Sequence, residues 1–239
     1  MNLSHFLTDA CEQLNITLTD RMVTQLLSYK DLLITHNQHM NLTAITDERE
    51  VIIRHFVDSL AGMPELVVTE DTTICDIGTG AGLPGIPLAI AMPQVQFTLV
   101  DSLEKRIGFL ELVCETLELD NVTLVAARTE DLAQDLAYRE QFDVCVSRGV
   151  APLYKLLELG IAFVKPGGLF LAYKGAKVVE EVSEASRSLA VFTCSVERTT
   201  SYTLPTTDMS PSLLFIHKNG ATPPMYPRKP NQIKNKPLV

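Results

Sequence analysis

The sequence predicts an α/β domain built on a doubly wound parallel sheet. From Thr72 onward, short and nearly continuous apolar runs over 72–78, 96–101, 122–127, 143–149 and 168–175 alternate with segments of helical period near 84–92, 103–118, 130–138, 151–163 and 176–189. Strands that are apolar throughout are buried on both faces, and the helices between them supply the cover. A glycine-rich segment follows the first run and an acid, Asp101, closes the second. That edge of a doubly wound sheet is where ligand crevices form.

The flanks read differently. Residues 1–70 form a helical extension: Met22, Leu26, Tyr29 and Leu33 recur at helical spacing after a capping candidate at Thr19 or Asp20, and Ile52, Ile53, Phe56, Val57 and Leu60 do so after Thr46. The α/β domain itself occupies 71–219. Beyond Val191 the alternation stops, and the segments 192–204 and 212–219 read as an antiparallel strand pair added to the parallel sheet. Residues 220–239 hold five prolines and no periodic pattern, so a basic, flexible or extended tail is expected.

Composition narrows the function classes. With 239 residues, 46% hydrophobic and 21% charged, the chain has the profile of a soluble globular protein. A net charge of −9 argues against gripping nucleic acid with the whole surface. The charge is uneven, because Lys218, Arg228, Lys229, Lys234 and Lys236 lie after residue 208 with no acid among them. Cys11, Cys75, Cys114, Cys145 and Cys194 form no CxxC pair, which fits neither a disulfide framework nor a zinc site. The first residues lack a basic start followed by an apolar run, and a cytoplasmic protein is expected. The uncharged stretch 77–100 is interrupted by Pro84, Pro87, Pro93 and four glycines, so it reads as loop, helix and strand rather than a membrane span. No grouping of His, Cys and carboxylate residues has metal-ligand spacing, and no metal is expected.

The segment Asp76-Ile-Gly78-Thr-Gly80-Ala-Gly82-Leu83-Pro84-Gly85 is the most informative. Glycines at the end of the first strand let the backbone approach a ligand and present its N–H groups. Gly80 to Gly85 spells the dinucleotide fingerprint, with Asp101 about 20 residues on to hold a ribose. Asp76-x-Gly78-x-Gly80-x-Gly82 is also the first motif of S-adenosylmethionine-dependent methyltransferases. Charge favours the second: a pyrophosphate gains nothing from an Asp at the strand end, whereas an ammonium and a sulfonium are attracted to it. A bare tight turn is the remaining reading. Asp101 offers two acceptor oxygens to a ribose diol and equally suits an N-cap for the helix after Ser102.

Further blocks carry a family resemblance: Asn41 to Ile45 (NLTAI), Arg54 to Ser59 (RHFVDS), Asp76 to Pro87 (DIGTGAGLPGIP), Asp101 to Arg106 (DSLEKR), Ser147 to Ala151 (SRGVA) and Tyr173 to Gly175 (YKG). Over nearly its whole length the chain resembles the bacterial RsmG family, also called glucose-inhibited division protein B. The resemblance implies a Rossmann-like class I fold and transfer of a methyl group from S-adenosyl-L-methionine to N7 of a guanine in 16S rRNA. The donor site it implies is Asp76, Gly78, Gly80, Gly82, Leu83 and Asp101, with Thr129 and Glu130 beside the adenine and Arg148 near the methionine end. The family often has Ala where this chain has Gly149. The implied partner is 16S rRNA or the small ribosomal subunit, finished or in assembly, and a monomer is expected.

The residues support that chemistry separately. The position after the fourth strand reads Ser147-Arg148-Gly149-Val150 rather than the [DN]PP[YF] of amine methylases. Cys145 lies within a strand, where a packed thiol is a poor nucleophile for pyrimidine C5 chemistry. Guanine N7 already has a lone pair, so no general base is nominated, and Arg148 and Lys174 are the positioning candidates. Lys105 and Arg106 oppose a helix dipole in a first turn, which fits phosphate contact and equally a solvated surface pair. The family resemblance adds Arg54, His55, Arg228 and Lys229 to Lys174 as candidate RNA contacts, whereas helical spacing alone favours a half-buried ion pair for Arg54 and His55.

Overall fold

The computed structural model describes residues 2–239. A seven-stranded sheet runs through the molecule: β1 (Thr73–Ile77), β2 (Gln96–Asp101), β3 (Val122–Ala126), β4 (Phe142–Arg148), β5 (Val164–Lys174), β6 (Cys194–Ser201) and β7 (Ser212–Lys218). Their order is β3-β2-β1-β4-β5-β7-β6. The first five strands are parallel, and β7 lies antiparallel between β5 and β6. Because β6 is antiparallel to β7, it again points the same way as β1 to β5. The loop after Ser201 therefore emerges at the same edge as the glycine loop.

Strand side chains alternate between two cores. Ile74, Val144, Val146, Leu171, Leu213 and Phe215 face one, while Cys75, Ile77, Cys145, Phe170, Leu214 and Ile216 face the other. The first core is shared with α1 (Leu3–Glu12) and α2 (Asp20–Met40) through Leu7, Leu26 and Tyr29. Helix α3 (Glu48–Val51) runs through a π-helical segment (Ile52–Val57) into α4 (Asp58–Leu60), and this unit also joins the first core. Beside it pack α5 (Gly85–Ala91) and α6 (Glu104–Leu117). The second core is covered by α7 (Thr129–Leu132), α8 (Leu153–Gly160), α9 (Val178–Glu184) and α10 (Ser186–Val191). Among the described residues no helix is long and apolar enough to cross a membrane.

Thr19 caps α2, its hydroxyl accepting from Met22 N–H at 3.3 Å. The next helix is capped by Asp47 rather than Thr46, since the Asp47 carboxylate accepts from both Arg49 and Glu50 at 3.0 Å. The helix expected over 130–138 is one turn, α7, followed by turns. The Lys165-Pro-Gly-Gly segment lies inside β5 at a register irregularity against β4, with Gly167 at φ +88.

The C-terminal segment is not the flexible tail its composition suggests. A short helix, α11 (Pro230–Asn235), is present, and Ile233 and Leu238 are buried. Arg228 donates to both oxygens of Glu158 at 2.7 and 2.6 Å. Glu158 is 1% exposed, so Arg228 neutralises a buried charge on α8.

Candidate functional site

Three features make the turn after β1. Thr79 N–H bonds Val100 carbonyl, and the Gly82 and Leu83 N–H groups both bond Thr79 carbonyl at 2.9 Å. Gly78, Gly80 and Gly82 have φ of +65, +63 and +97, in the region L side chains avoid. From the outside, Tyr29 of α2 donates its hydroxyl to the Ala81 carbonyl while its ring stacks on Phe56. The N-terminal helices thus support the loop directly.

Asp76 sits behind this loop, fully buried, and not in the crevice as a cation-facing carboxylate would be. Its Oδ2 accepts from Thr79 Oγ1 at 2.6 Å and from Gly85 N–H at 2.9 Å, while Oδ1 has no partner among the described residues. Burial dominates these two hydrogen bonds and the nearby Arg148 charge, and it raises the pKa to about 7. Gly82 and Leu83 are buried with it. A cleft of about 300 Å³ lies on the solvent side, lined by Gly78, Asp101, Arg106, Thr129, Glu130 and Val150 among others. A larger cleft of about 540 Å³, containing Lys165, Gly168 and Arg198, lies at the opposite end of the parallel strands, away from the glycine loop.

Asp101 both organises the backbone and faces the cleft. Its Oδ1 accepts from Leu103 N–H at 2.9 Å, and Oδ2 accepts from Gly80 N–H and Arg106 at 3.0 Å. Arg106 is thereby held in the cleft, and Asp101 is the local counter-charge to its unfavourable place at a helix start. Lys105 is exposed and makes no ion pair among the described residues. Glu130 is buried and accepts two hydrogen bonds from Arg128, at 3.0 and 2.7 Å, with Thr129 half-buried between them. Gly149 adopts φ +70, a conformation that Ala would strain, and Val150 covers Gly78.

Arg148 lies at the end of β4 with its side chain 16% exposed, donating to Asp58 at 2.6 Å and to the His55 carbonyl at 3.2 Å. Lys174 is not a free cation: its ammonium is taken by Glu181 at 2.7 Å and the Ala151 carbonyl at 3.0 Å, and it braces the loop after β4. His55 is half-buried against Thr43 Oγ1 at 2.7 Å, and burial, with Arg148 nearby, lowers its pKa to about 4. It is neutral at physiological pH and offers no charge to a phosphate. Arg54 pairs with Glu50 at 3.5 Å and borders a separate 230 Å³ cavity with Arg49 and Phe6. Arg228, bonded to Glu158, is structural, while Lys229 at the start of α11 is exposed. Cys145 is fully buried beside Cys75, and burial raises its pKa, leaving the thiol unreactive. Sequence reasoning misses Asp58, Arg128 and Tyr202. Only the RHFVDS block, which contains Asp58, carries a signal for any of them.

The cleft suits an adenosine. Asp101 and Glu130 put two carboxylates, which can only accept hydrogen bonds when ionised, in the cleft wall, and the space beside Gly80 is open, with only a backbone oxygen among the described residues, 3.9 Å from where a Cβ would stand. Residues 22–208 match the GidB family, described as rRNA small subunit methyltransferase G. The chain is 43% identical to the ribosomal RNA small subunit methyltransferase G of Alkaliphilus oremlandii and 40% identical to that of Clostridium botulinum, with both chains covered in full in each case. Among solved structures it resembles a SAM-dependent methyltransferase from Aquifex aeolicus in fold, with a TM-score of 0.52 at 16% identity over 70% of this chain and 92% of that one. By sequence over its whole length, this chain belongs to the GidB family of small-subunit rRNA methyltransferases.

Proposed function

We propose that the protein transfers a methyl group from S-adenosyl-L-methionine to N7 of a guanine in 16S rRNA, acting on the RNA or on a small ribosomal subunit in assembly. The observation that carries this reading is the crevice at the carboxyl edge of β1 and β2. There a loop of three left-handed glycines is tied through Gly80 N–H to an aspartate at the cleft wall. Full-length similarity to small-subunit rRNA methyltransferases supports the acceptor.

In this reading Asp101 holds the ribose, Thr129 and Glu130 hold the adenine, and Gly78 and Gly80 let the donor lie close to the backbone. Asp76 acts at one remove, fixing the loop through Gly85 N–H and Thr79. When bound, the donor supplies a methyl carbon made electrophilic by its sulfonium. N7 of guanine has an in-plane lone pair and no proton, so the chain needs no general base there. What it must supply is alignment, worth several kcal/mol of the barrier. Arg148 is the charged group placed for that work, and Lys174 contributes by bracing the 149–152 loop. Of the candidate RNA contacts, Lys105 and Lys229 are the exposed ones, and they are assigned to RNA phosphate.

Gly78→Arg places a long side chain against Val150, and Asp101→Ala removes the cleft acceptor. Both are expected to abolish N7-methylguanosine formation, read by mass spectrometry of 16S rRNA digests after incubation with purified protein. Full activity in both variants would remove the proposed donor site.

A further inference from the structure

Arg148 is held by the 55–58 segment, which is itself braced from two other parts of the chain. Its Nη1 donates to Asp58 Oδ2 at 2.6 Å, and the other Asp58 oxygen accepts from the Tyr202 hydroxyl at 2.7 Å. Asp58 lies in α4, directly after the π-helical segment, and Tyr202 lies in the connection from β6 to β7. The Asp58 side chain is 13% exposed. Its backbone is fixed from the sheet as well, because Tyr173 donates its hydroxyl to the Ser59 carbonyl at 2.6 Å and is the register partner of Arg148 on β5. A strand and a loop thus brace the helix that holds the guanidinium.

Among the described residues, Nη1 is the only nitrogen of Arg148 with protein partners, so Nε and Nη2 keep their N–H groups free. The two cations that line the cleft are already engaged, Arg106 by Asp101 and Arg128 by Glu130, and Lys174 is taken by Glu181. The donor carries a single anionic group, its α-carboxylate, and a planar fork of N–H donors is the side chain best matched to a carboxylate. A guanidinium anchored on one nitrogen presents the others in a fixed direction. An unanchored one would have to order four torsions on binding.

We propose that Asp58, held by Tyr202, is a positioning residue that locks Arg148 so that its free edge receives the α-carboxylate of the methyl donor. The inference rests on the donor reading given above. It makes the N-terminal helical extension part of the donor site, which the parallel sheet alone leaves incomplete. Asp58 touches no substrate and acts through Arg148.

The test uses the full-length protein without RNA and two ligands followed by calorimetry. S-adenosylhomocysteine has the α-carboxylate, whereas 5′-methylthioadenosine has the adenosine and sulfur but no amino-acid end. Asp58→Asn is expected to weaken S-adenosylhomocysteine by about tenfold and Tyr202→Phe by about threefold, each leaving methylthioadenosine within about twofold of wild type. In turnover, the KM for the donor should rise by more than kcat falls. Tyr202→Phe removes one hydroxyl and keeps the ring, so it stands in for Asp58→Asn should that variant unfold. Unchanged S-adenosylhomocysteine affinity in both variants overturns the inference, as does parallel weakening of both ligands, which would mark a general loss of structure. In a separate filter-binding titration with 16S rRNA, weakened RNA binding at unchanged S-adenosylhomocysteine affinity also overturns it and assigns the free edge to phosphate. A wild type that binds neither ligand overturns the donor reading itself.

Discussion

Asp76 carries the strongest conflict between a residue and its surroundings. It is fully buried, with two donors on one oxygen and none on the other, and its pKa is raised from 3.8 to about 7. Between those values the folded chain holds a proton that the unfolded chain has released. Stability from this group is therefore fully present below about pH 4 and is lost as pH rises through about 7. Asp76→Asn cannot ionise, so the difference in urea unfolding free energy should move in the variant's favour between about pH 4 and 7 and then level off. The amplitude is on the order of 4 kcal/mol at most. A flat difference across that range would show that Asp76 ionises as it does in water. His55 works in the opposite sense. With its pKa lowered from 6.5 to about 4, its contribution is present above about pH 6.5 and lost as pH falls through 4. The two slopes offset each other over much of the acid range, so the single variants are more informative than the wild-type curve.

At the scale of elements, three glycines separate conformation from space. Gly82 has φ +97, and a Cβ there would come within 2.6 Å of Ile86 and 2.8 Å of Leu110, so Gly82→Ala should cost about 2 kcal/mol or more. Gly80 has φ +63 with open space around it, and its replacement by Ala should cost only the backbone term of about 1 kcal/mol. Gly108 lies inside α6 with no positive φ and nothing within 4 Å of where a Cβ would stand, so Gly108→Ala should stabilise by about 0.8–1 kcal/mol. Chemical denaturation of the three proteins ranks them, and an order other than Gly108→Ala, Gly80→Ala, Gly82→Ala in falling stability would contradict this reasoning. The glycines were legible because their spacing is local. The π-helical turn at 52–57 was not, because its apolar residues fit helical spacing equally well.

At the scale of the whole molecule, the C-terminal segment decides how the charge asymmetry is read. Of the five basic residues after 208, Lys218 is fully buried on Glu140 and Arg228 is bound to the buried Glu158. Removing Arg228 leaves Glu158 buried without its counter-charge. Arg228→Ala should therefore destabilise by about 3–5 kcal/mol, seen as a lowered urea midpoint with an unchanged slope. Truncation after Asn219 should lower the thermal midpoint, because it strips Leu238 and Ile233 from buried positions as well as Arg228. If truncation weakened RNA binding and left the thermal midpoint unchanged, the segment would be a basic arm after all.

The sequence by itself determined the order of strands and helices, the glycine turn and the acid that faces it. Hydrophobic period and left-handed backbone are properties of neighbouring residues, and an unaligned chain displays them. Only the tertiary structure decided which cations are available. The Arg148 and Asp58 partners stand 90 residues apart, Tyr202 and Asp58 144, and Arg228 and Glu158 70. Whether a charge is spent inside the protein or left for a ligand depends on such pairings, and burial gives no local pattern from which a partner can be read.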